Sequence, residues 1–148
     1  MHHHTKDKGD LGLGFVIADL LRQGCQPAIL LSEHLPFDCL AISATGDVKK
    51  LSVKYRSLKN GAILVPLRSS WADRHGVHIQ RSDLSCVDAI AVYCPNNSKV
   101  YYIRSNELSE FKCNFSLRVE QPKRRQSNET RNATEYEKAA RIFASVAQ

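Results

Sequence analysis

No stretch of the 148 residues approaches the roughly 20 consecutive apolar residues that cross a bilayer, and the first residues lack the apolar core of a secretory signal. An intracellular, cytoplasmic protein with no membrane partner is expected. The five cysteines (Cys25, Cys39, Cys86, Cys94, Cys113) include no C-x-x-C pair, so neither a zinc site nor a disulfide framework is expected. They read instead as reduced core thiols. Acids are scarcer than bases, 15 Asp and Glu against 21 Lys and Arg, and the resulting net charge of +6 suits a polyanionic partner such as nucleic acid. No segment repeats. The triplet His2, His3, His4 stands at the chain start, where a fraying end or a tag remnant explains it better than a ligand cluster, and it is left out of the site.

What is present reads as one α/β (α+β) domain over residues 1–148. Lys8 to Gln23 carries Leu13, Val16, Ile17, Leu20 and Leu21 at helical spacing and stops at Gly24. Pro27 to Leu31 and Phe37 to Ser43 read as strands, the second apolar on both faces and therefore buried, with Asp38 inside it. From Val48 to Arg56, Leu51, Val53 and Tyr55 alternate with Lys50, Ser52, Lys54 and Arg56, so one face is apolar and the other wet. Ala62 to Val65, Val87 to Tyr93 and Val100 to Arg104 add further strands, with an edge strand over Phe115 to Val119. The polar stretch from Arg68 to Asp83 is too long for a tight hairpin and reads as a functional loop. A basic connector (about 120–131) leads to a closing helix (about 133–147), whose apolar stripe suits packing or an oligomer contact.

Phosphodiester hydrolysis needs oxygen ligands for a hard divalent cation, an oriented water, and positive charge against the transition state. Side chains alternate along a strand, so Ser52 and Lys54 share a face while Val53 points the other way. A two-residue Thr45-Gly46 turn would set Asp38 opposite Val53, on the wrong face for Lys54. A three- or five-residue connection, or a bulge, would bring Asp38 onto the face of Lys54, and a three-residue one sets it directly opposite Lys54. A carboxylate between Phe37 and Leu40 would need a cation, and Lys54 is the natural one. A structural ion pair without catalysis is the alternative reading of the same two residues.

Pro36-Phe37-Asp38, a hairpin, and Ser52-Val53-Lys54 resemble the bipartite signature of the PD-(D/E)xK nuclease superfamily. Lys8-Gly9-Asp10-Leu11-Gly12 resembles the lysine-glycine-acid opening of that family. Leu117-Arg118-Val119, Pro122-Lys123 and Arg131-Asn132-Ala133 with Tyr136 resemble the closing segment of its group I intron-associated branch. The resemblance implies a restriction-endonuclease-like core, a central mixed sheet flanked by helices. It also implies Mg2+, with Mn2+ able to substitute, held by Asp38, Asp10 and the Val53 carbonyl, and Lys54 orienting the attacking water. Ser52 stands where the family has an acid, and Asp10 where it usually has glutamate. A hydroxyl is a weaker ligand than a carboxylate, which implies weaker metal binding and one metal per site.

The implied activity is a sequence-specific homing endonuclease that makes double-strand breaks in DNA as a homo-oligomer, dimer or tetramer. A structure-specific or restriction-type nuclease, or a DNA-binding protein whose site has decayed, are the rival readings. In the long loop Arg68, Ser69, Ser70, Arg74 and His75, with Trp71 among them, are donor types that hold phosphates and read base edges. Arg118, Lys123, Arg124 and Arg125 suit a phosphate-binding run, and Arg56 and Lys59 are further candidates for DNA contact.

Overall fold

The computed structural model describes residues 4–121 and 131–144. The helical spacing of the first segment yields α1 (His4–Arg22), with Val16 and Leu20 fully buried. Gly24 ends it in the left-handed region, φ 81, where a side chain would be strained. The strands β1 (Gln26–Ile29), β2 (Cys39–Ile42), β3 (Val48–Tyr55), β7 (Ala89–Cys94) and β8 (Lys99–Arg104) form one five-stranded sheet in the order β1-β2-β3-β7-β8. β3 and β7 run parallel and the other pairs antiparallel, so the sheet is mixed. Between β3 and β7 the chain makes β4 (Ala62–Pro66), β5 (Arg68–Asp73) and β6 (Gly76–Arg81). After β8 come the short helix α2 (Ser105–Leu108) and β9 (Asn114–Arg118), which pairs with β4.

Each face of the central sheet has its own core. Leu51, Ala89, Ala91, Tyr93 and Tyr102 face α1 on one side. On the other, Ile90, Val92, Tyr101 and Ile103 pack against Ile63, Val65, Phe115 and Leu117 of the β4–β9 pair. With layers on both faces, all six residues of β7 are buried, which is why its sequence is a continuous apolar run rather than an alternation. No helix among the described residues is long and apolar enough to cross a membrane.

Three expectations require correction. The Arg68–Asp83 stretch is a regular two-stranded ribbon, β5 with β6, turned at Arg74-His75 between Asp73 and Gly76. The closing helix is instead two 3-10 turns, Ala133–Tyr136 and Ala139–Ile142, separated by the extended Lys138 (φ −82, ψ 118). The cause lies in the packing: Ala133 and Tyr136 join the β4–β9 core while Ala139 and Ile142 join the α1 core. One straight helix could not serve two layers on opposite faces of a sheet. Finally, Cys86 and Cys113 are exposed, whereas Cys25, Cys39 and Cys94 are buried; all five are free thiols.

The chain end is tied back by an ion network. Glu107 Oε1 receives Arg104 Nη2 at 2.9 Å and Arg141 Nη2 at 2.8 Å. Burial alone would push the Glu107 carboxyl up, but hydrogen bonds from Arg141 and then Arg104 outweigh it and hold the group below the usual carboxylate range. A depressed folded-state pKa stabilises the fold fully above the unfolded value, about 4.3, and that contribution is lost as pH falls through the folded value. Glu107→Gln should therefore cost about 2 kcal/mol at neutral pH in urea unfolding and flatten the acid limb of the stability curve. This lies below the roughly 3–5 kcal/mol of a broken buried pair because the Glu107 side chain keeps 20% exposure.

Candidate active site

β2 and β3 are joined by five residues, 43–47, and pair with Cys39 opposite Leu51 and Ile42 opposite Val48. The connection is odd in length, one of the alternatives the chemistry called for, and it brings Asp38 to the end of the ladder beside Ser52, Val53 and Lys54. The pairing does not extend to a direct Asp38–Lys54 partnership: the ladder ends at Cys39–Leu51, and Asp38 leaves it as a bulge, its N–H turned to the same Leu51 carbonyl that faces Cys39.

Asp38 lies just before β2 and is exposed, not buried between Phe37 and Leu40 as the apolar run suggested. Its N–H donates to the Leu51 carbonyl at 2.8 Å, and its Oδ2 accepts the Val53 N–H at 2.6 Å. That second bond fixes the carboxylate at the open end of the β2–β3 ladder. Among the described residues no ion pair joins Asp38 to Lys54, so the carboxylate keeps capacity for a different cation.

The Val53 carbonyl points the same way. Arg56 N–H bonds to the Tyr93 carbonyl at 2.9 Å, and Lys50 exchanges bonds with Asp88, so the even-numbered residues of β3 direct their backbone groups toward β7. The odd-numbered Val53 therefore directs its groups toward β2, whose pairing has already stopped at Cys39. A carboxylate oxygen and a carbonyl without a strand opposite it thus meet at one sheet edge. Mg2+ is commonly held by one or two carboxylates, with waters and phosphate oxygens completing its shell, so this donor set fits that ion. Among the described residues no three His, Cys, Asp or Glu converge into a dedicated cage. The adjacent Cys39 belongs to the α1-side core, where burial first and the Asp38 charge second push its thiol up to about 12.

On the Lys54 face the site opens into a cavity of about 140 Å3, lined by Pro36, Ser52, Lys54, Leu67, Asp83 and Ile90 among others. Asp10 is exposed on α1, and its carboxylate has no hydrogen bond or ion pair among the described residues. The start of α1 packs on the opposite face of β3: a Cβ at Gly12 would lie 3.6 Å from Tyr55 Cβ and 3.7 Å from Val53 Cγ1.

The residues expected to contact DNA separate into two groups. Several are engaged by the body: Arg56 Nη1 bonds the Tyr55 carbonyl, Arg118 Nη1 bonds the Asn60 carbonyl, and Arg68 Nε bonds the Lys112 carbonyl. Ser69, Ser70, Trp71, Arg74 and His75 stand on the ribbon, and Lys59 lies exposed beside β4. Lys123, Arg124 and Arg125 lie outside the described residues.

Register divides the ribbon into two faces. Ser69 pairs with Gln80 and Trp71 with His78, whose rings stack at 5.3 Å, so these four share one face. The other face starts from Arg68 opposite Arg81, both bonded to carbonyls of the segment 109–112. At the base of the ribbon Ser82 N–H bonds the Leu67 carbonyl at 2.9 Å, and Leu67 and Ser82 both line the cavity of Ser52 and Lys54. His78, Gln80, Arg81 and Asp83 were not singled out from the sequence. The one available signal was the Asp73-Arg74-His75-Gly76 turn flanked by segments of equal length.

A model of the PD-(D/E)XK endonuclease family matches residues 3–139. Among solved structures, that of a bacterial homing endonuclease, I-Ssp6803I, aligns with a TM-score of 0.73 at 20% identity, over 94% of this chain and 92% of that one. At that identity the likeness is one of fold. No curated protein matches the chain.

Proposed function

The chain belongs to the PD-(D/E)XK endonuclease family, and from that membership we propose that it is a sequence-specific, Mg2+-dependent homing endonuclease that makes double-strand breaks in DNA. The observation that carries the reading is the Asp38 carboxylate fixed by the Val53 N–H at the end of the β2–β3 ladder, one residue along β3 from Lys54. The homing role draws its support from the fold shared with I-Ssp6803I.

Asp38 and the Val53 carbonyl would hold the ion. When bound, Mg2+ supplies an acidic water and meets the charge of the scissile phosphate. The protein's own contribution is placement. The Val53 N–H fixes the rotamer of Asp38, and Lys54, the next residue along β3, orients the attacking water and offsets negative charge that builds on the phosphate oxygens. Net charge of +6 draws the duplex in, and the ribbon, rising from the rim of the cavity, reads base edges. A chain with one such site cuts both strands most simply as a symmetric homo-oligomer, dimer or tetramer, on a roughly palindromic target.

The test is cleavage of a plasmid library with host-genomic inserts in Mg2+ or EDTA, with Lys54→Ala and Ser52→Gln beside the wild type. Discrete cuts dependent on Mg2+ are expected, reduced roughly 10²- to 10⁴-fold in Lys54→Ala with DNA binding in Ca2+ unchanged. Wild-type protein that binds DNA in a salt-sensitive manner without cutting would overturn the enzyme reading. Ser52 favours that second reading, a binding protein with a decayed site, and cutting by Ser52→Gln alone would identify Ser52 as the cause.

A further inference from the structure

We propose that Asp83 supplies the second carboxylate of the metal site, reaching it from the loop after the ribbon because β3 offers only the Ser52 hydroxyl there. This rests on the nuclease reading above. Ser52, Lys54 and Asp83 line a single cavity, and Asp83 is the one acid among the described residues that line it. Pro36, two residues before Asp38, lines it as well, so the cavity adjoins the edge where Asp38 and the Val53 carbonyl meet.

The loop that carries Asp83 is held in place at several points. Ser82 N–H bonds the Leu67 carbonyl at 2.9 Å before it, and Val87 N–H bonds the Leu84 carbonyl at 3.1 Å after it. Asp88 then clamps the loop's end to β3, its Oδ2 accepting Lys50 N–H at 2.8 Å. Within the loop Asp83 Oδ1 accepts Ser85 N–H at 2.9 Å. A carboxylate has about four lone-pair sites, so one turn bond leaves capacity for a cation.

A carboxylate here also answers an electrostatic need. Lys54 projects into the cavity region without an ion pair among the described residues, and two carboxylates about one divalent ion balance its charge as one carboxylate and a hydroxyl do not. The competing role for Asp83 is that of a turn cap alone. Asparagine separates the two, because its side-chain oxygen accepts the Ser85 N–H equally well but carries no charge.

The experiment is a Tb3+ luminescence titration of the metal-free full chain, with displacement by Mg2+, on wild type, Asp38→Asn, Asp83→Asn, Ser52→Asp and the Asp83→Asn/Ser52→Asp double variant. Asp83→Asn should weaken Tb3+ and Mg2+ binding by about tenfold or more at an unchanged melting temperature. Ser52→Asp should restore binding in the Asp83→Asn background. Unchanged affinity in Asp83→Asn, with affinity lost in Asp38→Asn, would overturn the role of Asp83 and leave the nuclease reading standing. A weakened Asp83→Asn that Ser52→Asp does not restore would overturn the claim that the two positions serve one site. Indifference of Tb3+ binding to Asp38→Asn would overturn the metal site itself.

Discussion

Asp38→Asn should fold as the wild type does, bind DNA with unchanged affinity in EDTA, and lose DNA cleavage by more than about a hundredfold, the upper end of what removing an outer-shell partner of a metal costs. The Asn side-chain oxygen can still accept the Val53 N–H that Asp38 Oδ2 now takes at 2.6 Å, so the β2–β3 edge keeps its geometry. What disappears is the negative charge, and with it the strongest oxygen donor of the edge. The measurement is initial cleavage rate against Mg2+ and Mn2+ concentration, beside the melting temperature. If the loss is in metal affinity, high Mn2+ should recover part of the rate, since Mn2+ binds such sites more tightly and with less demand on geometry. Cleavage that survives Asp38→Asn at wild-type rate would remove the edge from the chemistry, whatever the fate of the other candidates.

How much of this was legible in the sequence depends on what each residue faces. β3 showed itself because one of its faces packs on α1 and the other does not, which prints a period of two; β7 showed itself because both faces are covered. The irregularity of the β2–β3 connection was legible too, because a tight two-residue turn would set Asp38 on the wrong face for Lys54, and five residues join the strands instead. The exact register was not, since it depends on where the ladder starts, and the Ser43–Asp47 backbone bond sets that locally. The exposure of Asp38 was misread for a related reason. The run Phe37 to Ile42 is apolar enough for a buried strand, yet β2 occupies only Cys39–Ile42, and the residue before it lies at an open edge.

The ribbon was hidden by the same logic in reverse. β5 and β6 pack on no core, so burial prints no regular alternation across the pair, and Trp71, Val77 and Ile79 are 48%, 73% and 65% exposed. The closing segment misled because helical spacing records that residues are buried, not against which layer. Asp83 carries no signature at all: its tie to Ser52 and Lys54 is a shared cavity between segments about thirty residues apart, and no local pattern encodes that.

Replacing residues 69–80 by Asn-Gly, so that Arg68 and Arg81 remain paired across a two-residue turn, should abolish site selection while leaving the fold in place. None of the removed residues is buried, and the bonds that anchor the ribbon base, Arg68 to the Lys112 carbonyl and Arg81 to the Ser109 and Phe111 carbonyls, survive the deletion. The melting temperature should therefore change little. Affinity for the target selected by the wild type should fall by about a thousandfold or more, toward the non-specific level, because base-edge contacts account for that gap. Residual binding should keep most of its steep salt dependence, since that belongs to phosphate contacts elsewhere on a basic surface. Competition binding with target and scrambled duplexes at two salt concentrations reads both quantities. Within the ribbon, Gln80→Ala and Ser69→Ala should relax preference at single base pairs at a cost of about 1–3 kcal/mol each, whereas Val77 and Ala72, on the other face by register, should tolerate substitution. A deletion variant that still prefers the wild-type target would move the reading surface off the ribbon, and the basic run Lys123-Arg124-Arg125 would then be the next place to look.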